Sequence, residues 1–538
     1  MDILFAQGSK QSYKQLPPET MKDLDMDQIT SWISVMAEER VILKKVMSRV
    51  LLDPEDMNFR QEIFMDLRKN PELREALYEA ASMIQSMRDF AGVKKATGDK
   101  DNSLYSILQE LRSISLYVDT ARFLSEKLNQ FEIHSRGLLM IKEEMDAVIE
   151  TEKFKEMAED VKVMAEDLST VRSAIIGVNF TPDLDIESIA AVEFLPVPTR
   201  SKYNFASIAA GIGIMTKAGQ GAQAIGMSHV NSVKYKDPVL VAMMPMLEKH
   251  LKRHFSSVKK TIAQYKDLDA QSLVEMYEGL VFYTCCARYA EKLEERGYGI
   301  CMPSIGKKDG KRWEVKGFYN VRLAMLREKN VVKNDFSFSE EERIFVLTGP
   351  NRGGKTILEQ GLGLVSLMAS VGLFVTADSC SGLPFHNILT HFPIDENLTI
   401  NYGRLGEEAK RVREIVMDTD EDTLVLFNET YSTTSSTDAL YLSEDLLHIL
   451  KDKGAAVIFN THIHELAKKI PEMNEWEGRS RIISVIMEIK DNVNTFKVLR
   501  SEPDYCSYAR NIALKYGITY DQMKDGSQED HEESVTVL

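Results

Sequence analysis

The sequence predicts a multidomain protein in which an α-helical first part, carrying a coiled-coil arm, precedes a C-terminal α/β domain. Three observations support this fold class. Apolar residues recur at three- and four-residue spacing through much of the first 300 residues, as in packed helices. Further along, short apolar runs alternate with helical stretches, as in a mostly parallel sheet. A glycine-rich segment at 349–356 separates one such run from a helix, and 538 residues are too many for a single core.

The composition is that of a soluble globular protein. Apolar residues make up 44% and charged residues 28%, so cores can form without disulfides. No run of about 18 apolar residues predicts a membrane-spanning helix, and the first residues lack the pattern of a secretory signal. The five cysteines have neither metal-ligand nor disulfide-framework spacing. We therefore expect a cytoplasmic protein without a membrane partner.

The charge balance bears on nucleic-acid binding. A net charge of −16 argues against a protein that coats nucleic acid through bulk positive charge. Two local basic clusters, within residues 250–260 and 307–312, still permit a DNA surface. Each is more simply interpreted as a solvated face or loop.

Residues 1–130 are predicted to form an α-helical core. Helical spacing of apolar residues covers Leu24–Val50 and Asn58–Leu67. Between these two stretches, Asp53 followed by Pro54 is typical of the start of a helix.

Residues 131–300 are predicted to form clamp or lever helices that return to this core. Apolar residues there alternate spacings of three and four over three heptads: Phe154, Met157, Val161, Met164, Leu168, Val171 and Ile175. Such a seam is typical of a coiled coil. A long amphipathic helix packed inside a bundle gives the same pattern, and the sequence favours neither. Helical patterning resumes over Pro238–Glu295.

Residues 301–525 are predicted to form the α/β domain, and an acidic tail at 526–538 is predicted to be disordered. The apolar runs interpreted as strands are Ile344–Thr348, Gly372–Ala377, Thr423–Phe427 and Ala455–Asn460. Two more runs, Ile482–Ile489 and Thr495–Leu499, predict a β-hairpin.

The segment Gly349–Thr356 fits the pattern G-x-x-x-x-G-K-[ST] of a phosphate-binding loop. A strand before it and a helix after it suit this chemistry, because backbone N–H groups and the helix N-terminus then face the phosphates. The predicted nucleotide-binding residues of the loop are Gly349, Pro350, Asn351, Arg352, Gly353, Gly354, Lys355 and Thr356. Lys355 would reach the β- and γ-phosphates, and the Thr356 hydroxyl would bind Mg²⁺. The predicted cofactors are therefore ATP and Mg²⁺.

Two later strand ends add candidate catalytic residues. One predicted strand leads into Asn428 and Glu429, where P-loop ATPases place a Mg²⁺-directing residue and a carboxylate that polarises water. Another leads into His462, whose imidazole can donate to a γ-phosphate or to the attacking water near neutral pH. In isolation His462 would be interpreted as a surface histidine, and its neighbour His464 retains that interpretation.

Three motifs together resemble the MutS family of mismatch-repair ATPases. They are Thr348–Thr356 with its Gly-Pro-Asn-x-Gly-Gly-Lys interior, Glu429 with Thr434–Asp438, and Asn460–Leu466. The similarity covers residues 315–522 and, more weakly, 15–300. It implies an ABC-type ATPase domain in which two nucleotide sites form across a dimer. Each site combines a P-loop from one subunit with a signature segment from the other.

The resemblance also assigns roles and exposes departures. Asp438 corresponds to a loop that communicates between the two sites in the family. The signature segment would lie near Asn401–Glu408, with Gly403 contacting nucleotide, although the family's serine is missing there. Asn428 replaces the family's usual aspartate. Its amide oxygen can hold a Mg²⁺-bound water, but without the negative charge we expect lower Mg²⁺ affinity and weak turnover.

Family members that read mismatches carry an N-terminal domain with a Phe-x-Glu wedge, followed by a connector domain. In this chain Phe-x-Glu begins at Phe154, Phe338 and Phe427. These positions lie on the heptad seam, before the P-loop strand and at the catalytic strand end. The sequence therefore predicts a shortened member lacking both domains, and intercalation at a mismatch is not supported.

On this basis we expect an ATP-hydrolysing DNA-repair protein that binds duplex, mismatched or branched DNA as an ATP-gated homodimeric clamp. Two alternatives stay open. One is a family member that acts on branched DNA or ribosomes without mismatch recognition. The other is a nucleotide-switched scaffold with little hydrolysis, which Asn428 keeps in consideration.

Overall fold

The computed structural model describes residues 1–97, 104–168, 173–183, 186–195, 197, 260–262, 264–265, 270–306, 311–326, 331–350, 352–393, 404–490, 493–502 and 516–525. These residues divide into two compact units. The first unit comprises Met1–Asp2, Glu75–His134 and Leu138–Leu280, and the second Ile3–Arg74, Ser135–Gly137 and Val281–Leu538. Residues 250–259 of the first basic cluster and the predicted tail at 526–538 lie outside the described ranges.

Helices account for most of the N-terminal half of the described chain. In chain order they are α1 Pro18–Asp23, α2 Met26–Ile33, α3 Ala37–Met47, α4 Pro54–Lys69, α5 Pro71–Thr97, α6 Leu104–Gln130, α7 Arg136–Glu150, α8 Glu152–Leu168, α9 Gln271–Glu295, α10 Val321–Leu326, α11 Lys355–Ser370, α12 Arg404–Met417, α13 Ser436–Lys453, α14 His464–Lys468, α15 Ile470–Met473 and α16 Tyr520–Asp525. None of the helices in the described ranges combines the length and apolar character needed to cross a membrane.

The strands concentrate in the C-terminal half. They are β1 Tyr13–Gln15, β2 Arg49–Leu51, β3 Ser173–Phe180, β4 Ile186–Leu195, β5 Ser304–Ile305, β6 Lys311–Phe318, β7 Asn334–Ser339, β8 Glu342–Thr348, β9 Ser379–Gly382, β10 Asn387–His391, β11 Thr423–Asn428, β12 Ala456–Asn460, β13 Arg481–Lys490 and β14 Val493–Arg500.

In the first unit, the predicted heptad seam is only partly helical. Phe154 on α8 is buried and packs on Tyr117 of α6, with ring centroids 6.1 Å apart. This contact favours the packed-bundle alternative for that stretch. Helix α8 ends at Leu168, and Ile175 lies in β3, opposite Glu193 of the antiparallel strand β4. Continuation of the helix to Ile175 was therefore a wrong prediction, since β-branched residues at 173–180 support a strand as readily as a seam.

In the second unit, the N-terminal helices follow the sequence signals in part. Asp53 caps α4, because its Oδ1 accepts a hydrogen bond from the Glu55 N–H at 2.9 Å, which confirms the predicted helix start. The stretch Leu24–Val50, however, is not one helix. It contains α2, α3 and the first residues of β2, with a break after Ile33.

These N-terminal helices belong to the same unit as the α/β fold, and a buried arginine joins them. The Arg60 guanidinium on α4 donates to the carbonyl oxygen of Leu4 at 2.8 Å and to that of Val371 at 3.0 Å. Close packing of α11 requires Gly363, because a Cβ at that position would lie 2.8 Å from Leu24 Cδ2 and 2.7 Å from Leu426 Cδ1. The close approach lets the Leu24 and Leu426 side chains pack against α11, and burial of each contributes on the order of 2 kcal/mol.

The principal sheet has the strand order β10-β11-β12-β8-β13-β14. The first five strands are parallel, and β14 returns antiparallel to β13. Its central strands are near-continuous apolar runs buried on both faces, as parallel strands covered by helices require. The predicted α/β domain with a mostly parallel sheet is confirmed, including the predicted strands that became β8, β11 and β12 and the predicted hairpin that became β13–β14.

A second sheet of order β5-β9-β6-β7 lies in the same unit. The predicted strand Gly372–Ala377 is wrong. Gly372, with φ 75°, and Leu373 close the C-terminus of α11 through hydrogen bonds back to Ala369 and Met368, and Val375 forms an isolated bridge with Cys301. The strand begins later, at Ser379.

One residue of the second basic cluster, Arg312, is held inside the fold by an ion pair. The Arg312 side chain is 10% exposed and forms an ion pair with Asp422. Since its guanidinium is bound internally, Arg312 does not contribute to a free basic surface.

Candidate active site

The candidate site lies at the carboxyl edge of the principal sheet. In the parallel register, Asn428 at the end of β11 pairs with Asn460 at the end of β12, and Asn460 pairs with Leu347 near the end of β8. The loops that follow these three strands therefore emerge side by side. Ligands of open α/β sheets bind at this edge.

The glycine loop after β8 turns sharply into α11. The Gly353 N–H donates to the Pro350 carbonyl oxygen at 3.1 Å, and Arg352 has φ 63°. Gly354 has φ 90°, and a Cβ there would lie 3.1 Å from the Phe496 ring, so a side chain would be strained and crowded. Asn351 lies outside the described residues.

Lys355 is folded back into the arc of this loop. Its ammonium donates to the carbonyl oxygens of Gly349 at 3.1 Å and Pro350 at 3.2 Å. Burial lowers the pKa of Lys355, and the carboxyl groups of Glu429 and Glu359 oppose that shift. The arrangement holds a cationic group where a phosphate in the loop would be contacted.

Thr356 and Asn428 bring two oxygen ligands together. The Thr356 hydroxyl lies 3.4 Å from Asn428 Oδ1, and the Asn460 side-chain amide donates to the same Oδ1 at 2.7 Å. Hydroxyl and amide oxygens are hard ligands that suit Mg²⁺ with water and phosphate completing its shell. The residues present therefore fit a Mg²⁺ bound directly by Thr356 and through water by Asn428.

Glu429 and His462 meet at the mouth of the site. Their Oε1 and Nε2 atoms are 2.6 Å apart. Glu429 has φ 53°, and its N–H donates to the Asn460 carbonyl oxygen at 2.9 Å, which fixes this left-handed residue. The hydrogen bond from His462 lowers the pKa of Glu429, against the raising effect of burial. The carboxylate is thus kept ionised beside an imidazole.

The loop after Glu429 is held by the last residue of the predicted signature segment, for which no such role was predicted. The Glu408 carboxylate on α12 accepts from the Tyr431 N–H at 2.8 Å and from the Thr433 hydroxyl at 2.9 Å. Tyr431 has φ 65°, so two left-handed residues lie within three positions. The hydrogen bonds that Glu408 accepts anchor this strained loop.

One other predicted site residue, Asp438, is placed away from this group. Asp438 is exposed in the first turn of α13, where its N–H and carboxylate both bond to the Ser435 hydroxyl. It does not line the cleft that contains Lys355. Gly403 and the start of the predicted signature segment lie outside the described residues.

A cleft of about 960 Å³ opens beside the loop. Its lining includes six of the predicted loop residues, Pro350, Arg352, Gly353, Gly354, Lys355 and Thr356, together with Glu429 and His462. The rest of the lining is a mainly apolar wall: Phe318, Tyr319, Asn320, Leu323, Val331, Val332, Asn334, Ile357, Leu358 and Phe496. Sequence reasoning missed the apolar wall. Phe496 is brought in by β14, whose path is fixed by Asn334 through the Phe496 carbonyl at 3.0 Å and the Val498 N–H at 2.9 Å. No local pattern marks these contacts.

Comparison with known proteins agrees with this geometry. Residues 345–526 match the family model of MutS domain V. A DNA mismatch repair protein MutS from Lactobacillus delbrueckii subsp. bulgaricus is 32% identical over 182 residues, which are 34% of this chain and 21% of the relative. An Endonuclease MutS2 from Acetivibrio thermocellus is 32% identical over 146 residues, 27% of this chain and 18% of that protein.

A longer match extends beyond this domain. A DNA mismatch repair protein MutS from a Thermotoga species is 27% identical over 299 residues, covering 54% of this chain and 36% of the relative. In each of these comparisons the chain spans well under half of the relative's length. The predicted resemblance to the MutS family is confirmed, and residues 345–526 of the chain correspond to a MutS domain V.

Proposed function

We propose that the C-terminal domain binds and hydrolyses ATP, and that the chain couples this cycle to DNA as a MutS-like repair protein. The observation that supports the proposal most strongly is that five side chains from three strand ends lie together at one edge of the sheet. They are Lys355, Thr356, Asn428, Glu429 and His462. This set supplies the phosphate ligands, metal ligands and general base that phosphoryl transfer to water needs.

Each side chain would have a separate task. Backbone N–H groups of the glycine loop and the Lys355 ammonium would hold the phosphates. Thr356 and Asn428 would bind Mg²⁺, which when present neutralises charge on the transferred phosphoryl group. Glu429 would orient a water and accept its proton, and His462 would hold Glu429 in place and contact the γ-phosphate. The apolar wall around Phe496 and Phe318 would receive the base.

The proposed cycle extends to a dimer and to DNA. By resemblance to the MutS family, two sites would form across a homodimer, with the segment around Gly403 of one subunit closing on the P-loop of the other. Asp438, exposed at the start of α13, would communicate between the sites. ATP binding would then close helical arms on duplex, mismatched or branched DNA.

A second candidate is a nucleotide-switched scaffold that hydrolyses weakly. It is favoured by Asn428, which is neutral at the position where a carboxylate usually directs Mg²⁺. A slow ATPase whose rate does not respond to any DNA would support the scaffold. Stimulation by DNA would support the repair ATPase.

The first test is Lys355→Ala. Loss of a buried charge-assisted contact of about 1.5–3 kcal/mol predicts an ATP affinity lower by roughly 10- to 150-fold. Lys410→Ala is the matched control, because Lys410 is exposed on α12. Equal ATP affinity in both variants would contradict the assignment of the loop.

A second experiment addresses the DNA. The affinities of the protein for mismatched, perfect and branched duplexes, compared at one salt concentration, then identify the DNA structure that it binds.

A further inference from the structure

Asn428 poses an orientation problem at the proposed metal site. A carboxylate presents two equivalent oxygens, whereas an amide presents one oxygen and one NH₂ group. Only one of the two amide orientations directs an acceptor toward the Thr356 hydroxyl and a cation beside it. The opposite orientation would direct N–H donors at the cation.

A neighbouring amide defines the orientation. Asn460 is fully buried and donates from Nδ2 to Asn428 Oδ1 at 2.7 Å. The two residues are directly paired in the register of β11 and β12, so the strands hold them in contact. Asn428 itself is 4% exposed. With its NH₂ turned toward Asn460, Asn428 would place two donor groups against each other, which is unfavourable.

The orientation of the Asn460 amide is determined in turn by its hydrogen bond to Glu359. Glu359 lies on α11, one turn after Thr356, and is fully buried. Its Oε2 accepts from Asn460 Nδ2 at 3.3 Å. Within the described part of the chain, Glu359 Oε1 and Asn460 Oδ1 have no hydrogen-bond partner. The carboxyl therefore makes its hydrogen bond to Asn460 alone among these residues, although a buried polar atom left without a partner costs about 1–3 kcal/mol.

We propose that Glu359 and Asn460 are positioning residues that fix the Asn428 amide with its oxygen toward Thr356. The inference deepens the proposed function and rests on it, since it concerns Mg²⁺ bound with ATP. Burial raises the pKa of Glu359 well above its usual range. In the neutral form the orientation is kept when Oε1 carries the proton, because Oε2 is then a carbonyl oxygen that accepts the hydrogen bond from Asn460.

A cycle of variants tests this chain of contacts. Glu359→Leu removes the acceptor at similar volume, and Glu359→Gln keeps an acceptor oxygen. Each is made in the native chain and in the Asn428→Asp background, where the two carboxylate oxygens are equivalent. Nucleotide binding is followed with a fluorescent ATP analogue while Mg²⁺ is titrated, and affinity is also measured in EDTA. Thermal unfolding of each variant reports folding.

The expected result is a dependence on background. In the native chain, Glu359→Leu should raise the half-maximal Mg²⁺ concentration about fivefold, as loss of one hydrogen bond of about 1 kcal/mol implies. Glu359→Gln should restore it to within about twofold. In the Asn428→Asp background, Glu359→Leu should change it by less than about twofold. If Glu359→Leu does not fold, Asn460→Ser is expected to show the same dependence on background.

Two results would overturn the inference. One is an equal Mg²⁺ shift in both backgrounds. The other is an unchanged Mg²⁺ requirement in the native chain together with a lower unfolding temperature, which would make Glu359 a packing residue only. Failure of the unmodified protein to bind the analogue at any Mg²⁺ concentration would instead overturn the proposed function, and this inference with it.

Discussion

Glu429 and His462 show how single residues at two strand ends can form one chemical unit. Their 2.6 Å contact joins β11 to the loop after β12. The left-handed backbone of Glu429 costs on the order of 1–2 kcal/mol, and its hydrogen bond to the Asn460 carbonyl offsets part of that cost. The carboxylate is therefore held by the fold before any water or nucleotide approaches it.

A pH profile tests this pair. The His462 hydrogen bond lowers the pKa of Glu429, so the carboxylate proposed as the general base stays ionised to lower pH. In His462→Gln the imidazole partner is lost, the pKa of Glu429 rises, and protonation of Glu429 begins at a higher pH. We expect the acid limb of the turnover profile to move to higher pH, in addition to any loss of maximal rate.

His464→Gln serves as the control, since His464 follows two residues later at the start of α14 and is not in the cleft lining. Its acid limb should coincide with that of the unmodified protein. An unmoved acid limb in His462→Gln would show that Glu429 does not depend on His462.

Helix α12 positions the loop after β11 through Glu408. Its carboxylate accepts hydrogen bonds from the Tyr431 N–H and the Thr433 hydroxyl, and α12 begins within the predicted signature segment, of which Glu408 is the last residue. The edge strand adds a second anchor, because the Thr430 hydroxyl lies 2.9 Å from Nδ1 of His391 in β10. Burial lowers the pKa of His391 to about 3, so this imidazole stays neutral at physiological pH. Both α12 and β10 therefore make hydrogen bonds to the residues that directly follow Glu429.

Glu408→Ala tests the role of this helix. Loss of two hydrogen bonds to a charged acceptor should loosen the loop and lower ATP turnover by about tenfold. ATP affinity should change by less than about twofold, because Lys355 and the glycine loop are not in contact with Glu408. Glu414→Ala, at an exposed position on the same helix outside the predicted signature segment, is the matched control. Equal loss of affinity and turnover in Glu408→Ala would mean that α12 supports the whole domain instead.

At the scale of the whole molecule, the sequence predicted best what depends on local pattern. The glycine loop, β8, β11, β12 and the hairpin follow from apolar runs, turn residues and motif spacing. The strand that contains Ile175 was not predicted, because it depends on pairing with β4, where Glu193 lies opposite Ile175, and no local pattern shows that pairing. The same limit explains Glu359, Glu408 and Phe496, whose contacts arise from residues distant in the chain.

The proposed dimer can be tested on the full chain. A Glu429→Gln variant that binds ATP without hydrolysing it should accumulate in the closed state. Sedimentation with ATP should then show self-association at least about tenfold tighter than with ADP, as a coupling of about 1–3 kcal/mol allows. An identical sedimentation profile with ATP, with ADP and without nucleotide would contradict ATP-gated dimerisation.

We propose that the cleft at the sheet edge hydrolyses ATP with Glu429 as the general base. The most direct measurement compares ATP binding and single-turnover hydrolysis in the unmodified chain, in Glu429→Gln and in Glu465→Gln, a control at an exposed position. We predict that Glu429→Gln retains ATP affinity within about twofold and loses hydrolysis by about 10²- to 10⁴-fold, the usual contribution of a general base. Glu465→Gln should resemble the unmodified chain. Hydrolysis by Glu429→Gln at the rate of the unmodified chain would contradict the assignment of Glu429 as the general base.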